Sequence, residues 1–449
     1  MQNTSHITPA SPTSSATLGH DNHHASAAAH HGTIEPGEIA IGVVIGRASE
    51  YFDFFVYAIA SVMVFPSVFF PFEARLDGTL YSFLIFSFAF LARPFGTVAF
   101  MAIQQRFGRE VKLTLALFLL GVSTAGIAFL PTFQHIGFAA IVLLSLLRVG
   151  QGIALGGSWD GLPSLLALNA PESKRGWYAM LGQLGAPVGF MIAGSLFAYL
   201  VSGLTTEDFL DWGWRYPFYV AFAINVVALF ARLRLVTTNE YARLLDEREL
   251  EPTNAIEMVR SQGANLVIGA LAALASYALF HLVSVFPLSW ISLYSKRSMS
   301  DFLMIQVAGA ALMALCVIAS GVIADRIGRR NTLGMSALLI ALLSGFVPMM
   351  MGSGEVGENI FILLGFSLLG LSYGQAAGAV TANFATKYRY TGAALTSDLA
   401  WLVGAGFAPL VALGLASHFG LAYVSLYLIS GAACTLGALS LNRKLEIRD

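Results

Sequence analysis

Three charged residues follow one another at three-residue intervals in a stretch of sequence that is otherwise apolar. The spacing of Arg47, Glu50 and Asp53 places all three on one face of a helix. A fourth, Arg148, opens another apolar segment, RVGQGIALGGSWDG (148–161). A carboxylate that is kept from water can take up a proton near neutral pH, and a guanidinium can pair with it or hold another anion. These residues therefore indicate proton transfer or anion binding in an apolar environment.

The composition shows what that environment is. Hydrophobic residues make up 56% of the 449 residues and charged residues 11%, against about 25% charged in soluble domains. Apolar runs of about 20 residues, the length of a helix that crosses a bilayer, recur beyond residue 38. We predict an all-α membrane protein with twelve transmembrane helices, at 39–63, 79–102, 112–131, 136–168, 176–202, 215–235, 264–290, 300–324, 332–351, 358–385, 391–416 and 420–441. Strands are not needed, because a single helix satisfies its own backbone in lipid.

Lysines and arginines predict the orientation, since they concentrate on the cytoplasmic side of membrane proteins. Most of the 25 fall in loops on the side of both termini, including Lys112 and Arg232, whereas Arg75, Lys296 and Arg297 fall opposite. We therefore expect both termini in the cytoplasm, in a multi-pass protein of a bacterial-type inner membrane.

Polar segments divide the chain into five predicted parts. Residues 1–38 and 442–449 are cytoplasmic tails, the first disordered; 39–235 and 264–441 are two six-helix bundles, and 236–263 is a cytoplasmic linker with a surface helix. The first tail is either a metal-binding tract or a solvated polar segment, and its histidines are His6, His20, His23, His24, His30 and His31. RFGRE (106–110) and RIGRR (326–330) occupy the same place in each bundle, which indicates two parallel repeats.

The second of these loops carries a longer pattern. G-x-x-x-D-R-x-G-R-R is matched in full by Gly321, Asp325, Arg326, Gly328, Arg329 and Arg330. With twelve helices in two parallel halves, the chain resembles the major facilitator superfamily, whose signature loop this is. The resemblance implies two pseudo-symmetric six-helix bundles. Gly321 would then let two helices approach, Asp325 would accept from a neighbouring helix N-terminus, and the arginines would hold a cytoplasmic gate.

The first-half loop departs from this pattern. In register stand Met101, Gln105, Arg106, Gly108 and Arg109, so the first glycine and the aspartate of the signature are missing. Gln105 can hydrogen-bond but cannot form an ion pair. The departure is either a tolerated variation or a loosened gate on this half, and the sequence leaves both readings open.

Further motifs narrow the resemblance to one subgroup. EYFDFFVYA (50–58), LARPFG (91–96), RVGQGIALGGSWDG, RGWYAMLGQLGAPVG (175–189) and WGWRYPF (212–218) resemble the metabolite:proton symporters. That subgroup includes carriers for citrate, 2-oxoglutarate, shikimate, and glycine betaine or proline. The resemblance covers nearly the whole chain and is densest in the first half.

The resemblance also assigns expectations to the buried charges. Glu50 and Asp53 stand where the subgroup has its acids, and Arg148 and Gln151 where it has an arginine and a glutamine. We expect Arg148 to pair with Asp53 or Glu50 and these three to couple proton binding to transport; the alternative is a static pair that fixes helix packing. Arg47 is not part of the pattern, and it either neutralises Glu50 or meets an anionic substrate.

Other candidate residues come from both halves. Expected substrate contacts are Arg47, Arg148, Gln151, Tyr57, Gln183, His281, Asp398 and Trp401, and Arg93 is expected to join the gate loops. For His281, packing is the alternative to a role in the site, although ionisable groups inside a membrane segment suggest function by default. Asp160 stands where the subgroup has glycine, beside Ser158 where it has glutamate, so the subgroup's role cannot be carried over to it.

These features predict a secondary carrier with its site between two halves near the membrane midplane. The expected partners are protons, a small polar metabolite and the lipid bilayer, without nucleic acid, and a monomer is expected to suffice. Buried arginines and the subgroup favour an organic carboxylate, while a zwitterion or osmolyte symporter, a uniporter and a transporter-like solute sensor stay open. No catalytic triad, metal ligand set or phosphate loop stands out, so neither enzyme activity nor a cofactor is expected.

Overall fold

The computed structural model describes residues 36–159, 170–236, 250–381 and 384–441, and within these ranges the chain is helical without strands. The membrane-length helices, numbered in chain order, are α1 (Pro36–Met63), α2 (Arg75–Phe107), α3 (Arg109–Ala128), α4 (Phe138–Gly157), α5 (Arg175–Gly203), α6 (Tyr216–Val236), α7 (Leu274–Tyr294), α8 (Met299–Ile327), α9 (Arg329–Gly352), α10 (Glu355–Thr381), α11 (Thr386–Phe419) and α12 (Leu421–Leu441). Eleven of them are long and apolar enough to cross a membrane by length and composition, and α1, which carries four charged residues, is the twelfth.

Three helices end before their predicted ends. The third ends at Ala128 rather than at residue 131. The fourth was expected to reach residue 168, but α4 ends at Gly157, and Ser158 and Trp159 are not helical. Two consecutive glycines and a serine are weak helix formers, which accounts for the early end. The tenth is helical to Thr381 rather than 385, and Phe384 is already in a bend.

The two repeated loops have the same backbone geometry. Gly108 ends α2 with φ 90° and Gly328 ends α8 with φ 85°, a left-handed conformation that residues with a Cβ adopt at a cost. Each glycine N–H donates 3.0 Å to the carbonyl four residues earlier, Gln104 and Ala324 respectively. Both loops therefore turn the chain directly into the next helix, on the side where α1 begins and α12 ends. We call this side the terminal side.

The glycines of the segment 148–161 hold α4 against α2. A Cβ at Gly152 would collide with the backbone of Ala89, and one at Gly156 with the backbone of Arg93. In return, Gly96 of α2 lies directly against the backbone of Ile153. Small residues allow this close approach of two helix backbones. The contact fixes the position of Arg93 relative to the side chains of α4.

The helices nearest the middle of the molecule are irregular. A 3₁₀ turn at Gly182–Leu184 interrupts α5, and a π turn at Trp401–Gly406 interrupts α11. Before α7 runs a helix at Ala255–Ala272 that is kinked at Gln262, and α7 itself is almost wholly buried. Departures of this kind inside helices are frequent at functional sites, and the π turn lies against α2 of the first half, where a Cβ at Gly406 would come within 2.9 Å of the Phe90 side chain.

Candidate functional site

A small cavity lies between the first half of the chain and α11 of the second half. Its lining combines charged, aromatic and aliphatic residues: Arg47, Glu50, Tyr51, Phe54, Ala89, Phe90, Arg93, Leu155 and Trp401. The space measures about 40 Å³, and one water needs about 10–15 Å³. The cavity therefore has room for a few waters and brings together four of the residues selected from the sequence.

Two arginines share the carboxylate of Glu50. Arg47 Nη1 lies 2.9 Å from Oε2, and Arg232 Nη2 of α6 lies 2.8 Å from Oε1. Arg232 was predicted to lie in a loop, and this was wrong: it is inside α6 and only 7% exposed. Its guanidinium lies over Gly46, where a Cβ would come within 2.7 Å of Nε. A buried carboxylate that attracts the long arginine side chain inward explains the difference.

Asp53 is held by neutral donors. Thr124 Oγ1 of α3 donates to its Oδ1 over 2.7 Å, and Gln151 Nε2 donates to Thr124 over 2.9 Å and lies 3.4 Å from Asp53 Oδ2. Gln151 Oε1 accepts from Arg148 Nη1 over 3.0 Å. The glutamine therefore links the carboxylate to the guanidinium.

The expected ion pair between Arg148 and Asp53 or Glu50 is not formed. Among the described residues, neither carboxylate lies within 4.0 Å of Arg148. The reason is steric, because Gln151 stands between Arg148 and Asp53 and the guanidinium packs 3.9 Å from the centroid of the Tyr57 ring. Its Nε donates to the carbonyl of Phe86 over 3.2 Å.

Arg93 and Asp398 connect the two halves at the edge of the cavity. Arg93 Nε lies 2.7 Å from Asp398 Oδ1, and Thr97 Oγ1, one turn along α2, donates to Oδ2 over 2.5 Å. The sequence offered Asp398 as a substrate contact and Arg93 as part of the gate. The structure joins them in one ion pair between α2 and α11.

Further aromatic residues pack against Tyr51 and Trp401 of the lining. The hydroxyls of Tyr51 and Tyr373 are hydrogen-bonded across the two halves. The ring of Trp401 lies 4.9 Å from that of Tyr277 and 5.1 Å from that of Phe280. Trp401 was among the residues selected from the sequence, but Tyr373 and Tyr277 were not, because aromatic residues are common throughout membrane helices and have no characteristic spacing.

Three further candidates are buried away from the lining. Tyr57 and His281 lie beside Arg148 and Phe54 without lining the cavity, and Gln183 sits in the 3₁₀ turn of α5. Asp160 and the six histidines of the first tail lie outside the described residues. Among the described residues, no group of three His, Cys, Asp or Glu side chains is placed to hold a metal ion.

The gate loop of the second half is hydrogen-bonded to the start of α5. Asp325 Oδ1 accepts from the backbone N–H of Gly176 over 2.6 Å, and Oδ2 from that of Trp177 over 3.2 Å. A Cβ at Gly321 would lie 3.1 Å from Trp177 Cα, so glycine permits the approach. Arg326 is in the last turn of α8, and Arg330 Nε donates to the carbonyl of Leu439 over 3.0 Å. Arg329 Nη2 lies 3.5 Å from the carbonyl of Arg175.

The first-half loop makes different contacts. Gln105 is exposed and donates to the carbonyl of Pro252 over 2.9 Å, while Met101 is buried. Arg106 lies over the ring of Phe107, 5.3 Å from its centroid, and Arg109 begins α3. Gln105 and Arg106 therefore make contacts that differ from the one that Asp325 makes in the second half.

A buried lysine makes the connection on this side. Lys112 was predicted in a loop, but it lies inside α3, only 2% exposed. Its Nζ donates over 3.0 Å to Gln104 Oε1 and over 3.0 Å to the hydroxyl of Tyr390 in α11, and it also bonds the carbonyl of Trp159. Three oxygens thus solvate the ammonium group in place of water, which explains how it can be buried.

The model of the Major Facilitator Superfamily matches residues 43–397. The chain belongs to that superfamily. It is 35% identical over 416 residues to the inner membrane metabolite transport protein YhjE of Escherichia coli (strain K12), covering 91% of this chain and 94% of that protein. It is 32% identical over 412 residues to the shikimate transporter of the same organism, covering 89% and 92%.

Solved structures support the same fold. The xylose transporter XylE from E. coli, in a partially occluded inward-open conformation, superposes with a TM-score of 0.70 at 16% identity, covering 92% of this chain and 99% of that one. The fold is the twelve-helix major facilitator architecture. The chain is a multi-pass membrane transporter rather than an enzyme.

Proposed function

We propose that this transporter is a proton-coupled symporter of a small organic carboxylate that works by alternating access, with both termini in the cytoplasm. The observation that carries the proposal is the cavity between the halves, where Arg47, Glu50 and Arg93 meet inside membrane-spanning helices. Ionisable groups are costly at such depth and are retained mainly where ions or polar solutes pass. A carboxylate is the natural ligand for a site rich in arginine.

Asp53 is the proposed proton acceptor. Its carboxylate is buried and receives hydrogen bonds from Thr124 and Gln151, without a cation within 4.0 Å among the described residues. Burial without a counter-charge favours the neutral form of a carboxylic acid. Protonation of Asp53 would weaken the bond from Gln151, and this change would reach Arg148 through the amide. Proton binding and anion binding are therefore linked by one side chain.

Contacts between the halves support alternating access. At the terminal side, Lys112–Tyr390 and Asp325 with the start of α5 cross from one half to the other. At the opposite side, Arg75 Nη2 donates to Ser292 Oγ over 3.1 Å and Ser300 Oγ to the carbonyl of Ala198 over 3.0 Å. Each set must break before its own side can open. If the two sets break in turn, the central cavity opens first to one side of the membrane and then to the other.

Counterflow in proteoliposomes tests the proposal. Vesicles loaded with unlabelled solute receive the same solute in labelled form, with shikimate, 2-oxoglutarate, citrate and glycine betaine tried in turn. We expect exchange of a carboxylate, and stimulation of its net uptake by an imposed pH gradient. Exchange of glycine betaine alone would favour the zwitterion carrier, and exchange without a response to the gradient would favour a uniporter. Binding without exchange of any bound solute would favour a sensor.

The variant Arg148→Ala tests whether this arginine takes part in transport. We expect it to abolish exchange, because the guanidinium no longer meets the anion or Gln151, while most of the protein still reaches the membrane. Unchanged uptake kinetics in Arg148→Ala would remove this residue from the substrate site.

A further inference from the structure

Three buried polar side chains around Phe54 and Phe86 have atoms without a hydrogen-bond partner. They are Nη2 of Arg148, the hydroxyl of Tyr57 and both ring nitrogens of His281. Arg148 is 1% exposed, and the other two residues are fully buried. Nearly all buried polar atoms in folded proteins are satisfied by protein or water, so a group of exceptions in one place calls for an explanation.

His281 and Arg148 lie against the same two rings, and Tyr57 lies against Arg148 and Phe86. The centroid of the His281 ring is 5.3 Å from that of Phe54 and 5.3 Å from that of Phe86. The guanidinium carbon of Arg148 lies 6.0 Å and 4.8 Å from the same two centroids, and 3.9 Å from that of Tyr57. One small region therefore holds a guanidinium N–H, a phenol and an imidazole, all able to donate a hydrogen bond.

The charges of this region permit one acid group. Four arginines lie around the cavity, two of them buried (Arg148 and Arg232) and two half-buried (Arg47 and Arg93). Arg47 and Arg232 are paired with Glu50, and Arg93 with Asp398. Arg148 is the remaining one, and no described carboxylate lies within ion-pair distance of it. Among the described residues, Arg148 is the one cation that packs against Phe54, Tyr57 and Phe86, and one cation matches one carboxylate. Inside the region around Phe54 and Phe86, a second carboxylate on the same ligand would meet aromatic rings and no second cation among the described residues.

We propose that Arg148, Tyr57 and His281 form a closed binding site for the one carboxylate of a ligand whose remaining body is compact and largely apolar. The inference rests on the proposed transport function and narrows its substrate class to monocarboxylates. Phe54 lines the open cavity and also packs against Arg148 and His281. Its ring therefore separates cavity from site and has to turn aside when the acid enters.

Binding to the purified full-length protein tests the site directly. Calorimetry compares benzoate and cyclohexanecarboxylate with succinate and glycine betaine. We expect both monocarboxylates to bind at least about tenfold more tightly than the other two. His281→Phe keeps a planar ring and removes both nitrogens, so it should weaken benzoate binding by about tenfold or more. His281→Gln returns one donor and should recover part of the loss.

Ser284→Ala is the control on the same helix, since Ser284 Oγ donates to the carbonyl of Phe280 within α7 over 2.7 Å. It should leave benzoate binding unchanged. Succinate or glycine betaine binding as tightly as benzoate, no binding of either monocarboxylate, or full benzoate affinity in His281→Phe would each overturn the site. Counterflow tests the proposed function separately from the binding site. If a carboxylate is exchanged, carboxylate transport is supported whatever the binding results are. If none is exchanged, the proposed carboxylate transport is rejected, and the ratios of the binding affinities still test the site.

Discussion

Arg93 of α2 and Asp398 of α11 form an ion pair between the two halves of the transporter, with Arg93 Nε 2.7 Å from Asp398 Oδ1. The two residues are 305 positions apart in the sequence. Both side chains are largely shielded from water, and Thr97 supplies a further bond to the carboxylate. The halves cannot part along α2 and α11 without separating these charges, so this pair is a natural restraint on opening.

A double-mutant cycle measures the strength of that pair. Arg93→Met and Asp398→Asn should each lower the free energy of unfolding by about 3–5 kcal/mol, because each leaves a buried partner without its counter-charge. The double variant should lose less than the sum by about 1 kcal/mol or more. Unfolding of detergent-solubilised protein provides the measurement.

The surface pair Lys387–Glu257 is the control for this cycle. Its atoms lie 2.8 Å apart but the side chains are 61% and 53% exposed. Solvent screens such a pair, so Lys387→Met and Glu257→Gln should show no resolved coupling. Strict additivity at Arg93 and Asp398, as at this surface pair, would contradict a buried restraint between the halves.

The hydroxyl of Tyr390 should help to keep the terminal side closed. Tyr390→Phe removes the group that accepts from Lys112 and donates to Gln104 over 3.2 Å. We expect a loss of about 1–2 kcal/mol in stability and faster thiol labelling of a cysteine placed at Leu155, which lines the cavity. The background carries serine at Cys316 and Cys434.

Tyr388→Phe is the matched control, since its hydroxyl donates to exposed Glu257 over 2.6 Å. Labelling at position 155 should be unchanged in this variant. Equal labelling rates in the two tyrosine variants would show that the Lys112–Tyr390 contact does not restrain the terminal side.

The two gate loops should differ in their sensitivity to mutation. Asp325→Ala leaves two backbone N–H groups at the start of α5 without an acceptor and removes a favourable charge at a helix N-terminus, at a cost of about 1–2 kcal/mol. Gln105→Ala removes one exposed amide and should cost less than about 0.5 kcal/mol. Apparent melting temperatures of the two variants give the comparison, and equal shifts would mean that the loops contribute equally after all.

Close packing of α4 against α2 predicts an intolerant glycine. Gly152→Ala forces a Cβ into the backbone of Ala89, so we expect a large loss of monodisperse protein in size-exclusion chromatography. Gly345→Ala, in open space on α9, should be neutral or stabilising by about 0.5–1 kcal/mol. Wild-type yield and melting temperature in Gly152→Ala would show that the helices can move apart without penalty.

Much of the fold was predictable because hydropathy and loop chemistry are local properties. Apolar runs gave the helices, and the repeated loops around Gly108 and Gly328 gave the two halves. The same local properties led to wrong positions for Lys112 and Arg232. A pattern based on water and lipid places a charge at a helix end, whereas these two side chains find buried oxygen partners that only the tertiary structure provides.

The charged residues that lie at the cavity or near it could be picked out in the sequence, but their pairings could not. Arg47, Glu50, Asp53, Arg148 and Asp398 could be identified because each is a charged residue within an apolar segment. Their partners come from elements far apart in the sequence, so no periodicity reveals them. Gln151 separates Arg148 from Asp53, and the expected ion pair is replaced by a linked chain of hydrogen bonds.

Proton-driven uptake by Asp53→Asn tests the central claim most directly. Asparagine keeps the shape and a carbonyl acceptor but cannot exchange a proton. With the solute that exchanges in counterflow, and an acidic exterior imposed on proteoliposomes containing a pH dye, the wild type should accumulate solute together with protons. The variant should retain counterflow but lose both accumulation and proton entry. Uphill accumulation with proton entry in Asp53→Asn, at the wild-type rate, would contradict the account.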